Sequence, residues 1–334
     1  MTQKRILITG ASGFIGSFFV EEALRRGYDV TAGIRKTSSR KYLQDKRIHF
    51  LELDFQEKKL LKNQLQKAGK FDYIIHNAGL TKTCNPKEFY KVNYQNTVNF
   101  IEALKENNQV PDKFIFISSL EAYGPGKPGT TIPVTNEGKP QPATQYGKSK
   151  LKAEEYLFSL KEFPFLIFRP TGVYGPREKD YYLMIKNLDK GLEIYIGNQP
   201  QYLSFIYVKD LVRLVLDSLS SDKCCKAYFV SDGNTYTSED FNRIVKEKLN
   251  KKTIRFSLPK SLIRLMAIVN EKISCLLGQT PLLNRDKYYI ITQSNWLCDN
   301  SDIKKDFNFV PGYDLEKGLD ETIEWYIKEK NNLL

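Results

Sequence analysis

The sequence predicts an α/β fold, a doubly wound parallel sheet with a smaller C-terminal substrate domain. From residue 4 to about residue 170, short apolar strands alternate with amphipathic helices, which favours a parallel sheet covered by helices on both faces. A glycine-rich segment, residues 9–16, lies between the first strand and the first helix. After Pro170 the alternation gives way to Gly172, Gly175 and Pro176 and a mixed region, which indicates a second domain.

Each predicted element follows from its hydrophobic period. Apolar runs of strand length and amphipathic stretches of helix length alternate in the order expected of βαβ units. The predicted strands are residues 5–9, 29–34, 48–53, 73–76, 114–118 and 165–168. The predicted helices are residues 14–26, 57–68, 89–107 and 145–160.

These elements predict a dinucleotide-binding domain over residues 1–170 and a mainly substrate-binding domain over residues 171–334. An apolar strand, a helix and a further strand within residues 205–231 are expected to return to the first domain. The predicted partition is therefore discontinuous.

Composition limits the classes of function. The chain of 334 residues is 41% hydrophobic, has no apolar run of signal-peptide or membrane-spanning length, and predicts a cytoplasmic location without an integral membrane segment. Its net charge of +12 is spread along the sequence, which argues against a nucleic-acid partner. The five cysteines are scattered without a C-x-x-C pair, so we expect reduced thiols, no disulfide framework and no metal site.

The glycine segment predicts a dinucleotide site of the Rossmann type. Gly10 allows a tight turn, Gly13 lets the backbone approach a pyrophosphate, and Gly16 lets the helix pack closely on the sheet. The phosphates are expected at the helix N-terminus, where free N–H groups attract anions. The other predicted cofactor contacts of this loop are Ser12, Phe14 and Ile15.

The end of the second strand favours NADP over NAD. NAD sites usually place a carboxylate there, whereas this chain has Arg35, followed by Ser38, Ser39 and Arg40. Arginine beside hydroxyl groups suits a 2′-phosphate, so we predict NADP as the preferred cofactor and NAD as the alternative. The remaining predicted contacts near the ends of the third and fourth strands are Asp54, Phe55, Asn77, Ala78 and Gly79.

Tyr146 and Lys150 form a candidate proton-transfer pair. Four residues apart on a predicted helix, they lie on the same face. A free phenol has a pKa of about 10, and a neighbouring ammonium lowers it by favouring the phenolate. We therefore predict that Tyr146 is the acid/base and that Lys150 lowers its pKa.

Six segments in order resemble the extended short-chain dehydrogenase/reductase superfamily and its epimerase/dehydratase branch, over nearly the whole chain. They are residues 9–16, 77–79, 117–124, 146–150, 169–176 and 205–210. The resemblance implies that Ser119 polarises the substrate oxygen and that Asn93 supports the hydrogen-bond network. It also implies that Lys150 holds the nicotinamide ribose and that Pro170, Thr171 and Val173 line the nicotinamide pocket.

The substrate is less determined by the sequence. Glu121 lies where sugar-nucleotide 4,6-dehydratases of the superfamily carry a proton-abstracting glutamate, and Glu121 and Thr81 are the candidate substrate contacts. Two positions argue against a nucleotide-sugar substrate. Leu203 stands where nucleotide-sugar enzymes of the superfamily often carry an arginine, and Leu120 stands where the 4,6-dehydratases carry a carboxylate or hydroxyl residue. The tail is similar to 3β-hydroxysteroid dehydrogenases, dihydroflavonol reductases and hopanoid-associated epimerase-like proteins.

The sequence as a whole predicts an NAD(P)-dependent oxidoreductase that transfers hydride at a secondary alcohol or ketone carbon of a small molecule. A nucleotide-sugar epimerase or 4,6-dehydratase is the first alternative, and a non-catalytic dinucleotide-binding regulator is the second. A homodimer through two long helices, residues 89–107 and 145–160, is common among the similar proteins.

Overall fold

The computed structural model describes residues 3–332, and the side chains of residues 3–329. Its centre is a seven-stranded sheet whose inner strands are almost entirely buried, as their continuous apolar sequences require, whereas one edge strand is largely exposed. The order is β11-β6-β5-β4-β1-β2-β3, and the neighbouring pairs from β3 to β6 are parallel. These strands are β1 (Arg5–Thr9), β2 (Asp29–Ile34), β3 (His49–Glu52), β4 (Tyr73–His76), β5 (Lys113–Ile117), β6 (Phe165–Pro170) and β11 (Lys226–Val230).

The strand order reverses at β1, which has β2 on one side and β4 on the other. At such a switch point the loops after the two strands diverge and leave a crevice at the carboxyl ends. The glycine loop follows β1 and residues 77–79 follow β4, so the fold places two predicted cofactor segments at this crevice. The predicted doubly wound sheet is confirmed.

Helices pack on the sheet and bury a core of aliphatic and phenylalanine side chains, among them Leu61, Phe100, Phe114 and Leu157. The helices between the sheet strands are α1 (Phe14–Arg25), α2 (Lys58–Ala68), α3 (Pro86–Phe89), α4 (Asn96–Glu106), α5 (Gln145–Ser159) and α7 (Val208–Ser218).

The predicted continuous helix over residues 89–107 is interrupted. A π-helical turn, Tyr90–Gln95, separates α3 from α4. Its buried Asn93 bonds both backbone groups of Leu80 and the hydroxyl of Ser149. A π-turn adds one residue to the helix and often occurs at functional sites. The hydrophobic period could not predict this break, because it accompanies contacts with distant residues.

The remaining elements carry three smaller sheets, in which β10 pairs with β7, β9 with β12 and β14, and β13 with β8. The strands are β7 (Gly172–Tyr174), β8 (Leu192–Ile196), β9 (Tyr202–Leu203), β10 (Phe205–Tyr207), β12 (Tyr236–Thr237), β13 (Ile254–Leu258) and β14 (Asn295–Trp296). The helices are α6 (Asp180–Asp189), α8 (Ser238–Leu249), α9 (Lys260–Leu276), α10 (Arg285–Thr292), α11 (Ser301–Phe307) and α12 (Leu315–Asn332).

The chain forms two compact units. Unit 1 contains residues 1–122, 145–169 and 212–228, and unit 2 contains residues 123–144, 170–211 and 229–334. These bounds differ from the predicted partition, because the loop before α5 and residues 205–211 belong to unit 2. The reason for the second difference is that β10 pairs with β7 rather than with the central sheet. The roles of the two units stay predictions at this point.

Two expectations from composition can be compared with the structure. Cys224, Cys225 and Cys298 have free thiols, whereas Cys84 and Cys275 are disulfide-bonded, so the expectation of reduced thiols is wrong for those two. Sequence spacing does not reveal which thiols folding brings within bonding distance. Within residues 3–332, no helix is long and apolar enough to cross a membrane.

Candidate active site

The glycine loop after β1 is held by contacts that only glycine permits. Gly10 has a φ of +67°, and a Cβ there would lie 2.8 Å from the backbone of both Asn77 and Ala78. A Cβ on Gly16 would lie 2.0 Å from the Gly10 carbonyl oxygen. A Cβ on Gly13 would meet only that oxygen, at 3.3 Å. Two glycines are therefore required by internal packing, and Gly13 keeps an exposed face of the loop bare.

The N-terminus of α1 has the features of an anion site. Gly13 is its N-cap, no side chain caps it, and its first turn contains no acidic residue. Free N–H groups and the helix dipole therefore remain available to a phosphate. Ser12, Phe14 and Ile15 are partly exposed around this end.

The two arginines after β2 are exposed. The backbone N–H of Arg35 donates to Ser38 Oγ at 3.0 Å, which fixes the turn that follows the strand. The Arg40 guanidinium stacks over the Phe50 ring, 4.2 Å from its centre. Both side chains carry an unburied positive charge at the end of β2, where the sequence predicts the 2′-phosphate.

Asp54 and Phe55 follow β3 and have different environments. Asp54 is exposed, and its carboxylate accepts the N–H of Gln56 at 3.0 Å. Phe55 packs against His76, with 5.8 Å between ring centres, and against Phe100. Asp54 is therefore free to reach a ligand, whereas Phe55 serves mainly to pack the end of the sheet.

A buried imidazole connects the glycine loop to the π-turn. Ala78 N–H donates to Thr9 Oγ1 at 3.2 Å, and Thr9 Oγ1 lies 2.8 Å from His76 Nδ1. His76 Nε2 lies 3.1 Å from Thr97 Oγ1, which donates to the Asn93 carbonyl at 2.9 Å. Because the Thr97 proton is committed to Asn93, His76 donates from Nε2 and accepts at Nδ1. Burial lowers the pKa of His76 to about 3, which keeps this ring neutral.

Asn93 joins three backbone segments. Its Oδ1 accepts the Leu80 N–H at 2.7 Å, and its Nδ2 donates to the Leu80 carbonyl at 2.9 Å and to Ser149 Oγ at 3.0 Å. Ser149 in turn donates to the Tyr146 carbonyl at 2.7 Å. A Cβ on Gly79 would lie 3.3 Å from Asn93 Oδ1 and 3.9 Å from Lys150 Nζ. The π-turn, the loop after β4 and α5 therefore meet at Asn93.

The Ser119 hydroxyl lies close enough to the Tyr146 phenol to influence its pKa. Burial is the main influence on Tyr146 and raises its pKa well above the ordinary value, the Glu121 carboxylate raises it further, and Ser119 lowers it. The predicted lowering of the Tyr146 pKa is therefore not seen in this structure, because burial raises the pKa and Lys150 is not among the groups that shift it. A protonated phenol at neutral pH is a proton donor.

Lys150 is buried and faces the sheet. Its Nζ donates to the Ile117 carbonyl at 2.6 Å and lies 4.2 Å from the centre of the Phe116 ring. Burial lowers the pKa of Lys150 to about 7, while the Glu154 carboxylate opposes this shift. Lys150 therefore exchanges its proton near neutral pH.

The two candidate substrate contacts lie on unit 1. Glu121 belongs to a short helical turn, Leu120–Ala122, and its N–H donates to Ser119 Oγ at 3.2 Å. Its influence on the pKa of Tyr146 shows that its carboxylate lies near the phenol. Thr81 is exposed in the loop after β4. Leu120 is buried and contributes no polar group.

The predicted nicotinamide-pocket residues Pro170, Thr171 and Val173 belong to unit 2. Thr171 N–H donates to the Val230 carbonyl at 3.1 Å, and Val173 pairs with Ile206 in the small β7–β10 sheet. Within the described residues, the buried Thr171 Oγ1 has no hydrogen-bond partner. A buried hydroxyl without a partner is costly and marks a place where a bound molecule could supply the missing bond.

Sequence reasoning missed a buried ion pair below the site. Glu154 accepts from the Arg169 guanidinium at 2.9 and 2.6 Å and from the hydroxyl of Ser118, the residue before Ser119. Arg169 and Glu154 are almost fully buried. A signal was present, because Glu154 lies one helical turn after Lys150, and Arg169 interrupts an apolar strand. The role of His76 as a link between segments had no comparable sequence signal.

A dinucleotide fits the residues present in unit 1. The bare Gly13 backbone, the uncapped start of α1 and the exposed Arg35 provide a surface for phosphate groups. Ser119 and Tyr146 lie close together, and Lys150 is on the same helix as Tyr146, so these residues provide proton-transfer groups. Fold and site together define a Rossmann enzyme of the short-chain dehydrogenase/reductase type.

The chain belongs to the NAD dependent epimerase/dehydratase family, whose model it matches over residues 6–228. It is 25% identical to a UDP-glucose 4-epimerase of Vibrio cholerae, over 98% of this chain and 97% of that protein. It is 27% identical to an N-acetyl-alpha-D-glucosaminyl-diphospho-ditrans,octacis-undecaprenol 4-epimerase of Escherichia coli O157:H7, over 96% and 94%.

A solved structure shares the fold along the whole chain. The UDP-glucose 4-epimerase of Thermotoga maritima, crystallised with UDP-glucose, superimposes with a TM-score of 0.80 at 21% identity. The match covers 98% of this chain and 99% of that one. The predicted superfamily, fold and enzyme class are thereby confirmed, while NADP preference and the individual residue roles stay predictions.

Proposed function

We propose that this protein is an NADP-preferring oxidoreductase that transfers hydride at a secondary alcohol or ketone carbon, with unit 1 holding the cofactor and unit 2 contributing the substrate side. The observation that carries this proposal is the proximity of the Ser119 hydroxyl and the Tyr146 phenol, with Lys150 one turn further along α5. A bound nicotinamide dinucleotide supplies the hydride acceptor or donor. The protein's own groups bind, orient and move the proton.

Each catalytic residue has a task that its environment supports. Ser119 donates a hydrogen bond to the reacting oxygen, and Tyr146 gives or takes the proton on that oxygen. Its raised pKa favours the protonated phenol, which suits reduction of a ketone. Lys150 exchanges its proton near neutral pH, which supports a role in returning the proton that Tyr146 has given away. Asn93 and Ser149 fix the backbone of Tyr146.

NADP preference rests on the charge after β2. Arg35 and Arg40 are exposed there, and the Ser38 hydroxyl lies beside the Arg35 backbone. An arginine pairs well with a phosphate, and the positions at the end of β2 lack the carboxylate that suits a free ribose hydroxyl. The test is the ratio of dissociation constants for NADPH and NADH, measured by quenching of protein fluorescence. We expect tighter binding of NADPH, and equal binding or a preference for NADH contradicts the proposal.

A nucleotide-sugar or lipid-diphosphate-sugar 4-epimerase is the second candidate. Near full-length similarity to two 4-epimerases favours it, although Leu203 is a packed apolar residue where an arginine would bind phosphate. Such an enzyme would keep its cofactor between turnovers, so heat-denatured protein would release nucleotide. Retained NAD that does not exchange for NADP supports the epimerase, and free exchange supports the reductase. UDP-glucose and UDP-N-acetylglucosamine are the first substrates to assay.

Two further features of the proposal concern assembly and location. We propose a homodimer through the helical layer of α4 and α5, where Phe158 of α5 is 50% exposed. Light scattering after size exclusion should give twice the mass of one chain, and Phe158→Glu should give a single chain. A cytoplasmic location completes the proposal, and fractionation of cells that produce the protein would test it.

A further inference from the structure

Helix α9 of unit 2 turns an apolar face outward. The exposed apolar side chains of α9, with Leu277 directly after the helix, recur mainly at intervals of three and four residues. Ile263 and Ala267 are buried on another side of the helix. At about 100° per residue, the exposed set covers an arc of about 120°. This α9 face consists of Leu262, Leu265, Met266, Val269, Ile273, Leu276 and Leu277.

The segment that leads into α9 continues the apolar surface along the chain. The parallel register of β8 and β13 places Leu192 beside Ile254 and Ile194 beside Phe256. All four side chains are exposed, the most open being Ile254 at 67%. Monomeric proteins rarely expose apolar groups at this density unless they contact a partner or a membrane.

The charged side chains of this region are mostly basic, although Lys251 pairs with Asp189 and Arg255 with Glu239. Residues 251–283 contain six basic side chains, Lys251, Lys252, Arg255, Lys260, Arg264 and Lys272, and the single acid Glu271. Glu271 pairs with Arg285 at 3.1 Å, which helps to hold the pKa of its carboxyl low, and its side chain is only 17% exposed. Arg264 and Lys272 are exposed and form no ion pair with any residue in the described part of the chain.

We propose that the α9 face docks on the headgroup layer of an anionic lipid bilayer, with the helix lying in the plane of the membrane surface. An apolar arc beside lysine and arginine is the pattern of an interfacial helix. A second copy of this chain fits less well, because pairing two α9 faces would bring two basic surfaces together. The inference does not rest on the proposed function, since docking needs no catalytic residue.

Sedimentation with vesicles tests the docking. The full chain should bind phosphatidylcholine vesicles that contain phosphatidylglycerol, bind pure phosphatidylcholine vesicles more weakly, and be released by salt. The double variant Leu265→Glu/Ile273→Glu should bind the anionic vesicles at least about tenfold more weakly, because it places two negative charges in the apolar arc. Thermal melting of each variant verifies that it is folded.

A matched control is available elsewhere on the surface. The double variant Leu60→Glu/Ile327→Glu changes the net charge equally at two exposed positions, on α2 and α12. It should bind vesicles like the wild type, and so should Tyr146→Phe. The proposal is overturned if the two double variants bind anionic vesicles equally well, or if the wild type does not bind these vesicles. Self-association that the α9 variant alone abolishes would instead identify a second copy as the occupant.

Discussion

The Nδ2 of Asn93 donates to Ser149 Oγ at 3.0 Å, and both side chains are buried. Ser149 passes the connection on to the Tyr146 carbonyl. The π-turn in which Asn93 lies is therefore bonded directly to α5, the helix that carries the proposed acid/base. Through this bond, the position of Tyr146 depends on Asn93, whose supporting role was predicted from the family resemblance alone.

We predict that Asn93→Asp keeps the fold and lowers turnover. The aspartate still accepts the Leu80 N–H but cannot donate to Ser149, so α5 loses one of its anchors. A small displacement of a catalytic group costs about 10- to 100-fold in rate. The measurement is kcat on the substrate that the assays identify. Asn99→Asp, on the neighbouring α4, should leave kcat unchanged, and equal losses in the two variants would exclude a specific role for Asn93.

Gly13→Ala and Gly16→Ala should fail in different ways. A Cβ on Gly16 lies 2.0 Å from the Gly10 carbonyl oxygen, so this variant should lose stability. A Cβ on Gly13 meets its nearest neighbour at 3.3 Å, so this variant should remain folded and bind NADPH at least about tenfold more weakly, because the methyl group displaces the pyrophosphate. Thermal melting and NADPH titration separate the two effects. Unchanged NADPH affinity in folded Gly13→Ala would contradict the phosphate site.

Arg35→Ala should weaken NADPH and spare NADH. Loss of a charged bond to a phosphate corresponds to about 1.5–3 kcal/mol, or roughly a 10- to 100-fold weaker affinity. The two dissociation constants are measured on the variant and on the wild type. Arg47→Ala removes another exposed arginine, which is paired with Asp45, and should change neither constant. An equal loss of affinity for NADPH and for NADH would show that Arg35 does not bind the 2′-phosphate.

His76 should make the protein sensitive to acid. The pKa of His76 is about 3 in the folded state, whereas an unfolded histidine titrates near 6.5, so only the unfolded state takes up this proton between those values. Stability is therefore complete above about pH 6.5 and falls by up to about 1.4 kcal/mol per pH unit toward pH 3. Urea unfolding at several pH values measures this slope.

The slope can be assigned with the second histidine of the chain. His76→Gln should be less stable at neutral pH but should lose the His76 part of the acid dependence. His49, whose side chain is 71% accessible and faces Asp29 at 3.3 Å, provides the comparison variant His49→Gln, which removes the other imidazole. If His76→Gln and the wild type show the same slope, the imidazole is not held neutral in the folded protein.

The sequence predicted the central sheet closely, because buried parallel strands appear as uninterrupted apolar runs. The first, second and fourth strands match the structure at both ends. The break before α4 escaped prediction because the π-turn accompanies the long-range contacts of Asn93 with Leu80 and Ser149.

The roles of the candidate site residues stay predictions, and their electrostatics differ from the expectation. Spacing predicted that Tyr146 and Lys150 share a helix face, and the family resemblance added Ser119, which lies near Tyr146 in the structure. The spacing of residues does not show which of them are buried. Burial raises the pKa of Tyr146, which was expected to be lowered, and it lowers the pKa of Lys150. For the same reason, the buried Glu154–Arg169 pair became visible only in the folded chain.

The central claim is that Tyr146 moves the proton that accompanies hydride transfer, and a single-turnover comparison tests it most directly. Protein loaded with NADPH is mixed with the ketone identified in the assays, and the loss of reduced nicotinamide is followed by absorbance. Tyr146→Phe should slow this step by about 100-fold or more while NADPH binding is retained. Tyr156→Phe, on the outer part of the same helix, should react like the wild type. An unchanged single-turnover rate in folded, NADPH-bound Tyr146→Phe would contradict the account.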